Sequence, residues 1–282
     1  MPCDIYEALW IFMIYAFIGW CVEVAYVGLG KGYFVNRGFL NGPYCPIYGL
    51  GVLSVVIILT PLKDNLLLLF VGSFILTTVL EYITGFILEK VFGNKWWDYS
   101  NLPFNIHGYV CLKHSIFWGL GCMFIMNIIH PVIYGWIRWI PRNIGIVILV
   151  IFGIAFIADI CVTVNTILKF NRKLKLLEMM AETMHKLSDE IGENIYEKVS
   201  EVADKTEEVG EYLQDSLKDR RLEIREKQLE LESLKETYAK KLEEKHFGFK
   251  RLTKAFPDMK SIKHNPVLQQ YKEFLNKKIN HK

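Results

Sequence analysis

The sequence predicts an all-α membrane protein: a polytopic bundle of about five transmembrane helices containing a parallel two-helix repeat, followed by an aqueous helical, coiled-coil region. Three observations predict it. Hydrophobic residues make up 52% of the 282 positions. The charges are unevenly placed: residues 1–170 hold nine Lys/Arg and eight Asp/Glu, while 171–282 hold twenty-four and twenty-two, completing the totals of 33 and 30. Finally, a polar motif in the apolar half recurs at a fixed spacing.

About twenty mainly apolar residues cross a hydrocarbon core of about 30 Å. Five stretches qualify: Tyr6–Val27, Tyr44–Leu62, Leu66–Phe92, Ser115–Ile137 (or from Val110) and Asn143–Leu168. The first has no basic flank or small-residue cleavage site and is expected to be retained rather than removed as a signal peptide. Lys31, Arg37, Lys90, Lys95 and Lys113 sit in or beside loops one–two and three–four, and Lys169, Arg172, Lys173 and Lys175 follow the fifth span. Lys63, Arg138 and Arg142 occupy the other side. Positive charge concentrates in the cytoplasm, so the expectation is a plasma-membrane protein with its N-terminus outside and its C-terminal region cytoplasmic. Cys45 and Cys111 would then face a reducing compartment, and the cysteines form no disulfide framework.

A shift of sixty-six residues aligns "GWCVE" (Gly19–Glu23) with "GFILE" (Gly85–Glu89), and "LNGPYC" (Leu40–Cys45) with "IHGYVC" (Ile106–Cys111). Gly19/Gly85, Glu23/Glu89, Gly42/Gly108 and Cys45/Cys111 coincide without a gap. These identities define candidate repeats over 6–65 and 66–135, two helix–loop–helix units with both loops on one membrane face.

Candidate site residues follow from the cost of charge in hydrocarbon. Glu81 and Asp159 fall inside spans, where an ionised carboxylate facing lipid costs a few kcal/mol. They are expected to face the bundle interior, to pair with a cation or to hold a proton. Glu23 and Glu89 lie near span ends, within reach of water. In "NRGFLNGPYCP", Pro43 and Pro46 interrupt any helix and free backbone groups to bind an ion or head group. Asn36 and Arg37 open that stretch, and the Arg37 fork suits an anion or carboxylate. The second loop, "KWWDYSNLPFNIHGYVCLKHS", carries interfacial aromatics, and Asp98 joins the pathway candidates. His107, Cys111 and His114 would share a face if their stretch were helical, with Cys45 approaching from the other unit; these are weak zinc candidates, and the expectation is no metal and no cofactor. No catalytic triad order, zinc-protease string or nucleotide-binding loop occurs, so enzymatic activity is not expected.

"NRGFLNGPYCPIYGLG", "LEYITGFILEKVFGNKWWDYS" and "FNIHGYVCLKHSIFWGL" resemble the bacterial multipass family of ABC-transporter type IV, or CmpB-like, permeases over residues 8–165. The resemblance implies an integral membrane protein with a transport role. Because the chain lacks a Walker loop, ATP-driven transport would require a separate ATPase subunit. The alternatives are a non-transporting scaffold or sensor and an enzyme acting on a membrane lipid.

Beyond the bundle, Leu177, Met180, Met184, Leu187 and Ile191 step 3-4-3-4, and Leu217, Ile224, Leu231 and Tyr238 step by seven. The phase slips near Gly210, predicting a kink, stutter or hairpin within 171–245. A seam of this kind can pair with a second copy or fold back on its own chain; of the two, a homo-oligomer through 174–240 is the favoured expectation. Residues 246–282 hold nine Lys/Arg against two Asp/Glu, with Phe247, Phe249 and Phe256, a basic aromatic tail suited to the anionic leaflet of the bilayer. Neither region has a nucleic-acid footprint.

Overall fold

The computed structural model describes residues 4–204, 210–244 and 246–280. It forms two compact units, residues Met1–Lys169 with Phe247–Asn265, and Phe170–His246 with Pro266–Lys282. The fold is all-α, with four two-residue strands at loop edges among the described residues.

In the first unit, α1 (Ile5–Lys31) starts at Asp4, whose side chain accepts from the Tyr6 amide, and ends at Gly32 in the left-handed conformation. Helix α2 (Pro46–Leu59) follows, with a proline at its first position where no amide partner is needed, and a 3-10 turn (Thr60–Leu62) extends it. Helix α3 (Leu66–Phe92) is N-capped by Asn65 and stopped by left-handed Gly93. Helix α4 (Leu112–Phe124) runs through a π turn (Ile125–Ile129) into α5 (His130–Trp139). Helix α6 (Arg142–Asp204) runs for 63 residues.

Among the described residues, four helical stretches are long and apolar enough to cross a membrane: Ile5–Lys31, Leu66–Phe92, Leu112–Trp139 and the apolar part of α6. The second expected span is the shorter apolar helix Pro46–Leu62. The prolines account for that: the hinge prevents helix before Pro46, and Pro61 tightens the end. Residues of α1 to α5 form the core, with Trp10, Ile11 and Tyr15 of α1 against Val52, Val55, Val56 and Leu59 of α2, Leu69 of α3, and Cys122, Met126, Ile133 and Ile137, while Ile148 and Leu149 of α6 pack against it partly buried. Leu9, Phe17, Leu67, Ile75, Phe117, Val150 and Ile154 point outward, as expected of faces that meet lipid. Helices approach closely where glycine removes a side chain: Gly19 lies against the Tyr48 ring, and Gly119 against Phe70.

The bundle has two polar ends. At one, Asp4 pairs with Arg142 and the Tyr134 hydroxyl donates to Glu7. The other gathers hinge 1 (residues 32–45), hinge 2 (residues 93–111) and a returning segment from far along the chain. That segment contains α8 (Phe249–Ala255) and β4 (Lys260–Ser261), and β4 pairs antiparallel with β1 (Asn94–Lys95) of hinge 2. Within hinge 2, β2 (Asn105–Ile106) and β3 (Val110–Cys111) make a small hairpin.

The second unit is an antiparallel pair. The Lys173 ammonium donates to the Glu244 carbonyl at 2.8 Å, and Lys227 meets Glu190 at 3.1 Å. Going from Lys173 to Glu190 on α6 therefore means going back the same number of residues on α7 (Gly210–Glu243), from Glu244 to Lys227. The break expected around Gly210 adjoins residues 205–209, outside the described residues. Helix α9 (Asn265–Asn280) completes the unit, with Tyr271 against Phe170 and Lys173, and Gln270 accepting from the Tyr238 hydroxyl. The sequence tail is thus divided: Phe249 and Leu252 are buried in the first unit, Leu268 and Tyr271 in the second, while Phe247 is exposed. Cys21, Cys45, Cys111, Cys122 and Cys161 are free thiols.

Candidate functional site

The site is built on hinge 1, whose backbone would otherwise be left unpaired at the mouth of an apolar bundle. Its amides meet an acid and its carbonyls meet a base. The Asp159 carboxylate accepts from the amides of Asn41 (3.0 Å) and Gly42 (2.6 Å) and from the Asn41 side-chain amide (3.0 Å). Thr163, one turn along α6, accepts from the same Asn41 side chain at 2.8 Å and donates to Asp159. From α8, the Arg251 guanidinium donates to the carbonyls of Gly38 (2.7 Å), Phe39 (3.0 Å) and Leu40 (3.0 Å). Burial pulls the Arg251 pKa down, and the Asp159 charge opposes that pull.

Asn36 organises the entry to the hinge. Its carbonyl oxygen accepts from Trp20 Nε1 at 2.8 Å and from the Gly38 amide, and its NH2 donates to the Asn41 carbonyl. Arg37 points three ways: its guanidinium pairs with Glu23 at 3.4 Å, donates to the Ala255 carbonyl and lies over the Phe256 ring. Glu23 also accepts from the Tyr48 hydroxyl at 2.6 Å. Phe256 packs edge-on against Trp96, which in turn meets Phe39, so the two hinges and the returning segment share one aromatic cluster.

Hinge 2 centres on Asp98. Its carboxylate meets Lys260 at 2.6 Å and Lys95 at 3.1 Å and accepts from Ser100. Burial raises its pKa, but these donors outweigh burial and hold it well below the usual carboxylate range. Glu89 lies beside Tyr109, whose hydroxyl is pushed up to about 12 by burial first and by that carboxylate second.

Glu81 is 8% exposed on the inner face of α3. Its Oε1 accepts from the Tyr99 hydroxyl at 3.4 Å, while its Oε2 is buried without a partner among the described residues. The Tyr99 ring stacks on His114, whose Nδ1 lies 3.0 Å from the Cys111 sulfur.

The shared helical face expected for His107, Cys111 and His114 is absent. Residues 105–111 form the β2–β3 hairpin, and His107 sits at its turn with φ 52°. His107 Nδ1 is instead 3.1 Å from the Tyr82 hydroxyl. Among the described residues, no group of three or more His, Cys, Asp or Glu side chains converges, and Cys45 does not join such a group.

The structure thus ties Asn36, Arg37, Glu23 and Asp159 to hinge 1, Asp98 and Glu89 to hinge 2, and Glu81 to the helix face beneath. Sequence reasoning missed Arg251 and Lys260, the cations that meet both hinges. In the sequence they are two of nine cations in a basic stretch, and nothing local distinguishes them. Asn41 and Thr163 were missed as well, although an i, i+4 Asp–Thr pair within an apolar helix is a readable signal.

No curated protein and no solved structure matches this chain. The family described as "Putative ABC-transporter type IV" matches residues 10–164, over half of the chain, from within α1 to within α6 and including both hinges; the chain belongs to that family.

Proposed function

We propose that the protein is a permease-like subunit that binds or moves a solute or lipid through its helical bundle, with the two-hinge end as the mouth of the path. One observation carries this: Glu81 is a buried carboxyl inside a membrane-length helix with an oxygen left unpartnered among the described residues. Buried polar groups are nearly always satisfied, and exceptions mark strain or function. In this reading Glu81 belongs to the path. Glu23, Asn36, Arg37, Glu89, Asp98 and Asp159 shape its mouth, most of them through contacts that hold the hinges.

A two-unit repeat would fit the reading, and one feature at the sixty-six-residue offset supports it: the returning helices α2 and α4 both start after an extended cysteine, Cys45 and Cys111. The hinge end carries Lys31, Lys90, Lys95 and Lys113, which favours placing it in the cytoplasm of a bacterial cell, with the N-terminus outside. A separate ATPase subunit would drive the transport.

The test is to extract the tagged full chain from its native membrane, identify what copurifies by mass spectrometry, and compare it with Glu81→Gln. The reading expects an ATPase subunit to copurify with both forms, and the ATPase activity of the Glu81→Gln complex to lose its response to a membrane extract that stimulates wild type. Recovery of the chain alone, or with other copies of itself, would favour a membrane scaffold that works through its helical hairpin.

A further inference from the structure

Three successive carbonyl oxygens of hinge 1, from Gly38, Phe39 and Leu40, converge on a single guanidinium. Adjacent carbonyls pointing to one place are what proteins use to replace the hydration shell of a cation. In most loops successive carbonyls point apart. Here they are turned together because the following amides, of Asn41 and Gly42, are fixed on Asp159. The acid therefore both builds the cradle and makes it electronegative. Arg251 fills it incompletely: its Nε is buried without an acceptor, and on the next residue of the hinge the Asn41 Oδ1 is buried without a donor, among the described residues.

The occupant also comes from an unusual place. Arg251 is more than two hundred residues from the hinge in sequence, and its segment is inserted in the chain between two portions of the other compact unit. Besides Arg251, the segment is attached through the Arg37 contact to the Ala255 carbonyl, the Phe256 ring, the Lys260–Asp98 pair, the Ile262 amide on the Gly93 carbonyl and one two-residue strand pairing, and its Phe249, Leu252, Ala255 and Met259 side chains are buried.

We propose that the hinge 1 carbonyls form a cation-binding site for a guanidinium- or ammonium-bearing ligand, and that Arg251 is a tethered occupant that keeps the site filled and the hinge shut. Withdrawal of the Arg251 side chain empties the cradle for a free ligand. The proposal concerns hinge 1 and does not depend on Glu81 or on an ATPase partner.

Cys45 reports on the hinge, because it ends hinge 1 and is 6% exposed. Cys122, equally buried in the bundle core, reports on the fold. The experiment labels the full chain in membranes with a maleimide and follows each cysteine by peptide mass spectrometry, in wild type and in Arg251→Ala. In the variant, Cys45 should react about tenfold faster, as local opening predicts, while Cys122 stays protected. Millimolar methylguanidinium or methylammonium should then slow Cys45 back toward the wild-type rate, whereas sodium chloride at equal ionic strength should not; the more protective of the two organic cations names the ligand class. An unchanged Cys45 rate would overturn the proposal. So would faster labelling that neither organic cation slows, because the carbonyls would then not be a cation site. If Cys122 became reactive too, Arg251 would be holding the fold together, and the site assignment would fall.

Discussion

Asp98 shows how one side chain at the mouth can couple stability to pH. Lys260 and Lys95 both touch its carboxylate, one from the returning segment and one from its own hinge. Because the folded pKa is depressed, the stabilisation is complete above the ordinary carboxylate value near about 4 and is lost as pH falls through the lower folded value. The melting temperature of the detergent-solubilised protein should therefore drop between about pH 5 and about pH 2 by more in wild type than in Asp98→Asn. The variant should also melt lower at neutral pH, since Lys260 and Lys95 lose their counter-charge. Equal slopes in the two proteins would mean that other carboxylates dominate acid unfolding. Arg37 contrasts with Asp98. It spreads its guanidinium over a carboxylate, a carbonyl and a ring, so its contribution is one of geometry as much as of charge.

At the scale of elements, the bundle depends on close helix approach. A Cβ added to Gly49 of α2 would lie 2.5 Å from the Phe12 carbonyl oxygen of α1, a backbone atom that cannot swing aside. At Gly28, near the end of α1, an added Cβ would meet nothing within 4 Å. Gly49→Ala should thus cost about 1–3 kcal/mol through overpacking, whereas Gly28→Ala should be neutral or stabilising by up to about 1 kcal/mol through helix propensity. Thermal unfolding in a single detergent reads both, and equal effects would show that α1 and α2 are not held by this contact. The same elements show what was legible in the sequence. Helices of membrane length are readable because the bilayer demands an uninterrupted apolar run, and hinge 1 was readable because Pro43 and Pro46 cannot extend a helix that precedes them. The seat of Arg251 was not readable: residues 213 apart meet through backbone carbonyls, which leave no trace in side-chain pattern. The hairpin at His107 was hidden for a similar reason, because a histidine with positive φ is a backbone outcome that residue spacing does not encode.

At the scale of the whole molecule, two apolar seams were visible in the charged half, but sequence periodicity leaves their partner open. A heptad face satisfies itself equally well on a second copy or on its own chain. Within the second unit the seams are used internally: Leu174 and Leu177 are buried, Ile224 and Leu231 are half-buried, and Lys227 reaches Glu190 across the pair. Self-association through 174–240 would have to displace these contacts, so the chain should pair with itself. Glu190→Cys combined with Lys227→Cys, in a background where the native cysteines are replaced, tests this directly. Mild oxidation of the full chain in membranes should give a disulfide within one polypeptide, seen as a faster-migrating monomer on a non-reducing gel. Dilution into excess lipid should leave the yield unchanged, because closing a loop within a chain does not depend on concentration. A dimer band whose intensity falls on dilution would place Glu190 opposite Lys227 of a second copy, and would make the helical pair an assembly device shared between chains.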